Sequence, residues 1–444
     1  MITQTESKDK TVDITVSHQK SIDFRNIERG EAEWLYDLRK AAWNIFQETP
    51  LPERVTNLWR YTKPEIFLTA QAKESMHQRL SRNGNGDANQ HPVEAQYPAY
   101  GYNRDTLTTV TKVDPLLEKS GLIFKDLNSA ATENEELVKT YLGRLIGAGF
   151  GKFEALNMAQ WNIGFFLYVP DNMVIERPIR INRHPGGAFT AARLLAVIGK
   201  NSEVTIIDDF SGDPRVIDPS ANTVTEIFAG DLSRVKYVNL QRLFPRCISY
   251  HTERAEIGQG ATIYPVFAGV GGAVSKVNAG TILNGRGADS RMYGIVFGDD
   301  KQLFDYHTMH HHKANESTSN INFKVILKDK ATSSYTGLIR IEKETANCEA
   351  YQENRNLLLN KGTRAESIPE LEILADQVRC THGATMGPID PEMLFYLQSR
   401  GISSEDAVRV VVSGFVEPTI SALPGDLQEL MRNLIYGKLG GELK

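Results

Sequence analysis

Between Gly294 and Gly387 the chain repeats one phrase: a short apolar run, a tight polar turn, another short apolar run. Ile295-Val296-Phe297 leads into Gly298-Asp299-Asp300, Val325-Ile326-Leu327 into Lys328-Asp329-Lys330, and Leu357-Leu358-Leu359 into Asn360-Lys361-Gly362. The units start about 30 residues apart, and strand-like units at a fixed period mark a solenoid, in which each unit buries its apolar face on the next. Strand character begins near Phe165-Phe166-Leu167-Tyr168-Val169 and runs almost without helix to Thr385, with earlier turn signals after Ile198, Phe228 and Ile257. Strands this regular, without helices between them, leave a sandwich, a barrel or a parallel β-helix. Period two is imperfect, and apolar triplets alternate with small polar corners. This favours the β-helix, with the six turns expected to stack in register along one axis.

The flanks read differently. Residues 1–160 are expected to form a mostly helical region. Trp34, Leu35, Leu38, Ala42, Ile45 and Phe46 make one helical stripe that Pro50-Leu51-Pro52 ends, and Gln78 to Tyr100 reads as a polar loop. Trp59-Arg60-Tyr61-Thr62 reads as a packing segment before it reads as a binding surface. The β-helix core is expected over 161–388 and a helical region over 389–444. Asp390-Pro391 supplies a capping carboxylate and a first-turn proline, Gly401 a left-handed stop, and Ser403 to Asp406 a capping box.

A chain of 444 residues is long enough for two or three such units. A net charge of −5 gives no reason to expect nucleic acid as partner, and no apolar run approaches the roughly 18 residues of a membrane span. Three scattered cysteines do not make a disulfide framework, and Met1 to Lys20 lacks the apolar stretch of a secretory signal. A cytoplasmic protein is the expectation.

Chemistry concentrates at Val378-Arg379-Cys380-Thr381-His382-Gly383-Ala384-Thr385. Cys380 and His382 stand two apart on an expected strand, so they share a face roughly 6.5–7 Å apart and could hold part of a metal or cluster site. A buried structural cysteine is the plainer reading of Cys380; a histidine in the same core would need ring partners. The tract His310-His311-His312, with Asp305 and His307 nearby, reads as a polar, partly solvated loop, because three consecutive histidines cannot face one way on a strand. Cys247 and Cys348 read as core. Gly147 to Gly151 and Gly269 to Gly272 lack the Gly-Lys-Ser/Thr order of a phosphate loop, and no Gly-x-Ser-x-Gly elbow occurs.

Ala350 to Leu359, Pro369 to Ile373, Val378 to Thr385 and Leu394 to Ile402 together resemble the SufB/SufD family of the SUF iron–sulfur cluster assembly system, and its SufD branch in particular. Pro50-Leu51-Pro52 ahead of Trp59 to Thr62, and Lys152 to Asn157, add to the likeness. The resemblance implies a right-handed parallel β-helix flanked by helices, pairing with a SufB-like paralogue and a SufC-like ABC ATPase, and not itself an enzyme. It places the cluster-forming histidine at His382, with Cys380 beside it and His382 as the candidate metal ligand. The iron–sulfur cluster would be transient and shared with the partner; flavin is left open. ATPase docking falls on Asp390 to Leu439, with Leu394, Leu397, Val408 and Val412 as candidates. Where SufB has a functional cysteine, this chain has Asn354. Two other readings are a β-helical enzyme acting on polysaccharide, which would need paired acids or a metal in a groove, and a structural homodimer joined through the last rungs.

Overall fold

In the computed structural model, residues 31–54, 57–68, 97–104, 108–161, 163–185, 189–212 and 219–440 are described. Two long sheets face each other. The first holds β5 (Ile179–His184), β7 (Glu203–Ser211), β9 (Arg234–Arg242), β11 (Thr262–Gly269), β13 (Asp289–Gly298), β15 (Thr318–Leu327), β17 (Cys348–Leu358) and β19 (Val378–Pro388) in spatial order. The second holds β4 (Ile163–Val169), β6 (Phe189–Ile198), β8 (Ser220–Ala229), β10 (Ile248–Ile257), β12 (Val274–Leu283), β14 (Leu303–His312), β16 (Thr332–Ile341) and β18 (Arg364–Ile373). From β4 onward odd strands pair with odd and even with even, in parallel, so the chain winds as a β-solenoid of about seven turns. At its N-terminal end it is finished by β1 (Ala99–Arg104) with antiparallel β2 (Thr108–Val113), and by antiparallel β3 (Ile123–Asp126).

The period is visible in the register: Arg234 pairs with Thr262, Thr262 with Asp289, Asp289 with Thr318 and Thr318 with Glu349. Each turn has two strands and therefore two corners. At one corner Asn172, Asn201, Leu232, Gly260, Gly287, Glu316 and Asn347 all take positive φ, between 51° and 70°. Each donates its backbone N–H to a carbonyl of the next turn, as in Asn201 to Asp231 O (2.8 Å) and Asn347 to Gln377 O (2.7 Å). Glycine and asparagine supply most of these left-handed positions at little cost. The six turns legible in the sequence do not form one column. Those after Ile198, Phe228 and Ile257 follow even strands, whereas those after Phe297, Leu327 and Leu359 follow odd ones. The two corners carry the same apolar–polar signal, which is why the roughly 40-residue jump from Ile257 to Phe297 is a change of corner.

The outer faces of both sheets are covered. Against the even-stranded sheet pack α1 (Glu33–Glu48) and α5 (Lys152–Gln160), with α2 (Pro115–Lys119), α3 (Leu127–Glu133) and α4 (Glu135–Tyr141) between them in sequence. Leu35, Ala42 and Phe46 of the expected stripe are buried here with Trp43, and Arg39 binds Trp161 O at 2.7 Å with its guanidinium over the Trp161 ring. Trp59 joins Phe67, Phe153 and Tyr250, so the Trp59–Thr62 segment straps the same sheet; Tyr61 reaches Glu366 on β18 (2.8 Å). Against the odd-stranded sheet pack α7 (Ser404–Ile420) and α8 (Gly425–Lys438), following α6 (Pro391–Ser399). The first 30 residues and most of the polar loop before Tyr100 lie outside the described residues.

The histidine tract is not a loop. It ends β14, where His310 and His312 point into the solenoid and His311 points outward to Glu342 (2.7 Å). The interior accepts them because serines meet the rings: His312 has Ser317 on Nδ1 and Ser319 on Nε2, both at 2.8 Å, and His310 has Ser290 at 3.0 Å. Burial lowers both, His310 to about 3 and His312 to about 4, so both are neutral. Gly271 and Gly272 turn a corner: a Cβ at Gly271 would fall 2.2 Å from Leu243 O, and Gly272 has φ +82°.

Candidate functional site

The C-terminal end of the solenoid is open. β19 is the last strand of one sheet and β18 the last of the other, so each has one strand edge unpaired among the described residues. An unpaired parallel edge is a ready template for another chain. Val378 and Cys380 face inward, packing with Cys348, Ala350, Ile339 and Ile341; His382 follows on the same face by the period of two but lies at the exposed rim. Directly behind β19 runs β17, with Ala350 opposite Cys380, Gln352 opposite His382 and Asn354 opposite Ala384.

The two sequence-flagged residues therefore differ. Cys380 is half-buried, and burial, with Cys348 nearby, pushes its thiol up, away from the thiolate that ligates or attacks. His382 is accessible. Cys247 and Cys348 are buried, and Cys247 is pushed up to about 12 by burial. Cys348 touches Ser317 Oγ at 3.4 Å. No group of three or more His, Cys, Asp or Glu side chains placed to hold a metal occurs among the described residues.

Asn354 has amide neighbours on β17 that no motif in the sequence marked. Gln352, Asn354 and Asn356 all point into the solenoid and are buried. Asn356 Nδ2 donates to Asn354 Oδ1 (2.7 Å) and to Thr385 O on the last strand (3.1 Å). The signal was present: Tyr351 to Asn356 is polar on both faces, which a strand inside a solenoid shows only where its inward face is polar too. Gln352 Oε1, Asn356 Oδ1 and Ser367 Oγ are buried without partners near this end. Asn354 thus presents a buried carboxamide where the resemblance puts a thiol in SufB.

The docking candidates also separate. Val412 is fully buried with Val416, Ile420, Leu427 and Met431 against Ile207, Val238, Val266 and Ile295 of the sheet; Val408 lies at the margin of that cluster. Leu394 and Leu397 are half-buried on α6. On the same short helix Phe395 is 72% and Tyr396 57% exposed, and Met393 is exposed beside them. Helix α6 begins where Asp390 accepts from Glu392 N (2.9 Å) with Pro391 in the first turn, so the cap sets it next to the end of β19.

Residues 180–415 match the family described as SUF system FeS cluster assembly, SufBD core domain, and residues 21–181 match the SufBD protein N-terminal region. An iron–sulfur cluster assembly SufBD family protein of Staphylococcus haemolyticus is 28% identical over 431 residues, covering 93% of this chain and 91% of the relative. One from Staphylococcus aureus is 28% identical over 433 residues, covering 94% and 91%.

Proposed function

This chain belongs to the SufBD family of the SUF iron–sulfur cluster assembly system, and we propose that it serves there as the SufD-type subunit, without catalytic activity of its own. It pairs through the open end of its solenoid with a SufB-like paralogue, and its C-terminal helices dock a SufC-like ABC ATPase in the cytoplasm. The cluster is cargo, built at the shared end and passed on.

The observation that carries this reading is the position of His382: accessible, on a terminal strand with an unpaired edge, and beside a strand, β17, that carries Asn354 rather than a thiol. A neutral imidazole there can ligate iron or accept a hydrogen bond from a partner's sulfur, while the thiolate comes from the partner. Cys380, with its thiol pushed up, is the lesser contributor. The exposed aromatic face of α6 is the part of the helical region best placed for the ATPase, with Leu394 and Leu397 beneath it and Val408 at its margin.

Co-expression with a β-helical paralogue and the ATPase of a SUF system tests the assignment. A ternary complex on size exclusion is expected, with a homodimer through the same strand edges when this chain is alone. Elution as a homodimer in the presence of both candidates would refute it.

A further inference from the structure

The strap over the even-stranded sheet follows one row of side chains out to the last strand. Tyr250 on β10, Lys276 on β12, Asp305 on β14, Ser334 on β16 and Glu366 on β18 are successive register partners, each one turn further out. Trp59 packs on Tyr250, Leu58 O accepts from Lys276, Thr62 donates to Asp305, and Tyr61 donates to Glu366 at 2.8 Å. The next place in the row lies about 4.8 Å beyond Glu366, on whatever strand is added to the β18 edge.

Arg60 stands at that end of the row. It is exposed, its guanidinium lies 5.6 Å from the centroid of the Tyr61 ring, and among the described residues that guanidinium makes no hydrogen bond or ion pair. The carboxylate nearby, Glu366, is already taken: Arg364 and Tyr61 bind it and, with the charge of Arg60, draw it below its usual range. Arg60 and Arg364 around one carboxylate leave the end of the row with a positive charge in excess.

We propose that Arg60 is a specificity residue of the strand edge, delivered by the strap to bind an aspartate or glutamate that points outward from the strand the SufB-like paralogue adds beside β18. This deepens the pairing proposed above and rests on it. Main-chain pairing along an edge gives affinity to any extended strand, so the choice of partner comes from side chains along its length. A guanidinium fork matches a carboxylate, and a lysine or arginine at the same place is repelled. The Tyr61 ring under the guanidinium and the four anchors of the strap hold Arg60 at the edge before the partner arrives, which lowers the cost of ordering it.

The test is the dissociation constant of the complex with the paralogue, measured by titration calorimetry without the ATPase, for wild type, Arg60→Gln and Arg60→Glu at low and high salt. Because the side chain is exposed and unbonded, both variants are expected to melt as the wild type does. Arg60→Glu is expected to weaken the complex about tenfold or more at low salt, with Arg60→Gln between, and the difference to shrink at high salt. Paralogues with one outward acid of their terminal strands changed to lysine are then tried against Arg60→Glu, and one of them is expected to restore binding. Equal constants for all three proteins would overturn this role of Arg60 and leave the pairing standing. A loss that ignores salt, or that no charge swap restores, would overturn the ion pair. If Arg60→Glu weakens only the self-association of this chain, the carboxylate belongs to a second copy and the assignment to the paralogue is wrong. If the wild type forms no complex with the paralogue, the pairing itself falls, and this role with it.

Discussion

Lys276 Nζ lies 2.7 Å from Asp305 Oδ2 with both side chains fully buried, and the same carboxylate receives Thr62 from the strap and His307 Nε2 at 2.9 Å. Burial alone would raise the Asp305 carboxyl, but the His307 hydrogen bond and the Lys276 charge outweigh it and hold it at about 2. A depressed carboxyl stabilises fully above its unfolded pKa near 4 and loses that contribution as pH falls through about 2, roughly 2 kcal/mol in all. Asp305→Asn leaves Lys276 uncompensated in the interior and is expected to cost about 3–5 kcal/mol. Urea unfolding at neutral pH checks this; a midpoint equal to wild type would show that the strap is not held there.

Glu253 gives the opposite pH limb. It sits inside the solenoid with neither carboxyl oxygen hydrogen-bonded, near Asp208, which is held by Arg183 (2.7 Å) and Tyr237 (3.2 Å). Burial raises it to about 8, against a partial lowering by Arg254. An acid raised in the folded state stabilises fully below its unfolded pKa of about 4.5, and that advantage drains away up to about pH 8, up to roughly 5 kcal/mol. Glu253→Gln keeps the shape and cannot ionise. The variant should unfold at nearly the same urea concentration at pH 6 and pH 8.5, whereas the wild type weakens. Parallel behaviour would show that Glu253 is hydrated or paired in solution.

The helical region separates into core and contact. Val412→Ala opens space beneath α7 and is expected to cost about 1–3 kcal/mol without changing ATPase capture. Phe395→Asp with Tyr396→Asp alters only exposed side chains and should abolish capture with an unchanged melting temperature. Full capture by the double variant would remove α6 from the docking surface. Deleting 391–438 is a poorer test, since it uncovers Ile207, Val238, Val266, Ile295 and Phe297 along one sheet.

The solenoid was legible because its corners must recur: the turns after Phe297 and Leu327 mark successive odd strands as plainly as any motif. What the sequence hid was which corner each turn belongs to, since both have the same composition. It also hid the polar interior. His310, His311 and His312 read as a loop because three in a row cannot face one way; on the strand they alternate, and Ser290, Ser317 and Ser319, up to 20 residues away, meet the two rings that point inward. Cys380 and His382 were readable as a same-face pair. That one would be half-buried and the other at the rim depends on where the last turn stops, which no local pattern records. Asp305 and His307 read as part of a polar loop because Thr62 and Lys276, which complete their cluster, are 243 and 29 positions from Asp305.

Cluster building at the shared end of the solenoid depends on His382. Its side chain is exposed on the outermost strand β19, so His382→Ala leaves almost no cavity, and the fold and the pairing with the SufB-like chain are expected to survive. The direct measurement is cluster assembly on the purified ternary complex, read by visible absorbance and iron content, for wild type, His382→Ala and Cys380→Ala. The expected result is an intact complex with cluster yield lost in His382→Ala and reduced far less in Cys380→Ala. Wild-type yield from an intact His382→Ala complex would contradict the assignment and return His382 to an ordinary surface residue.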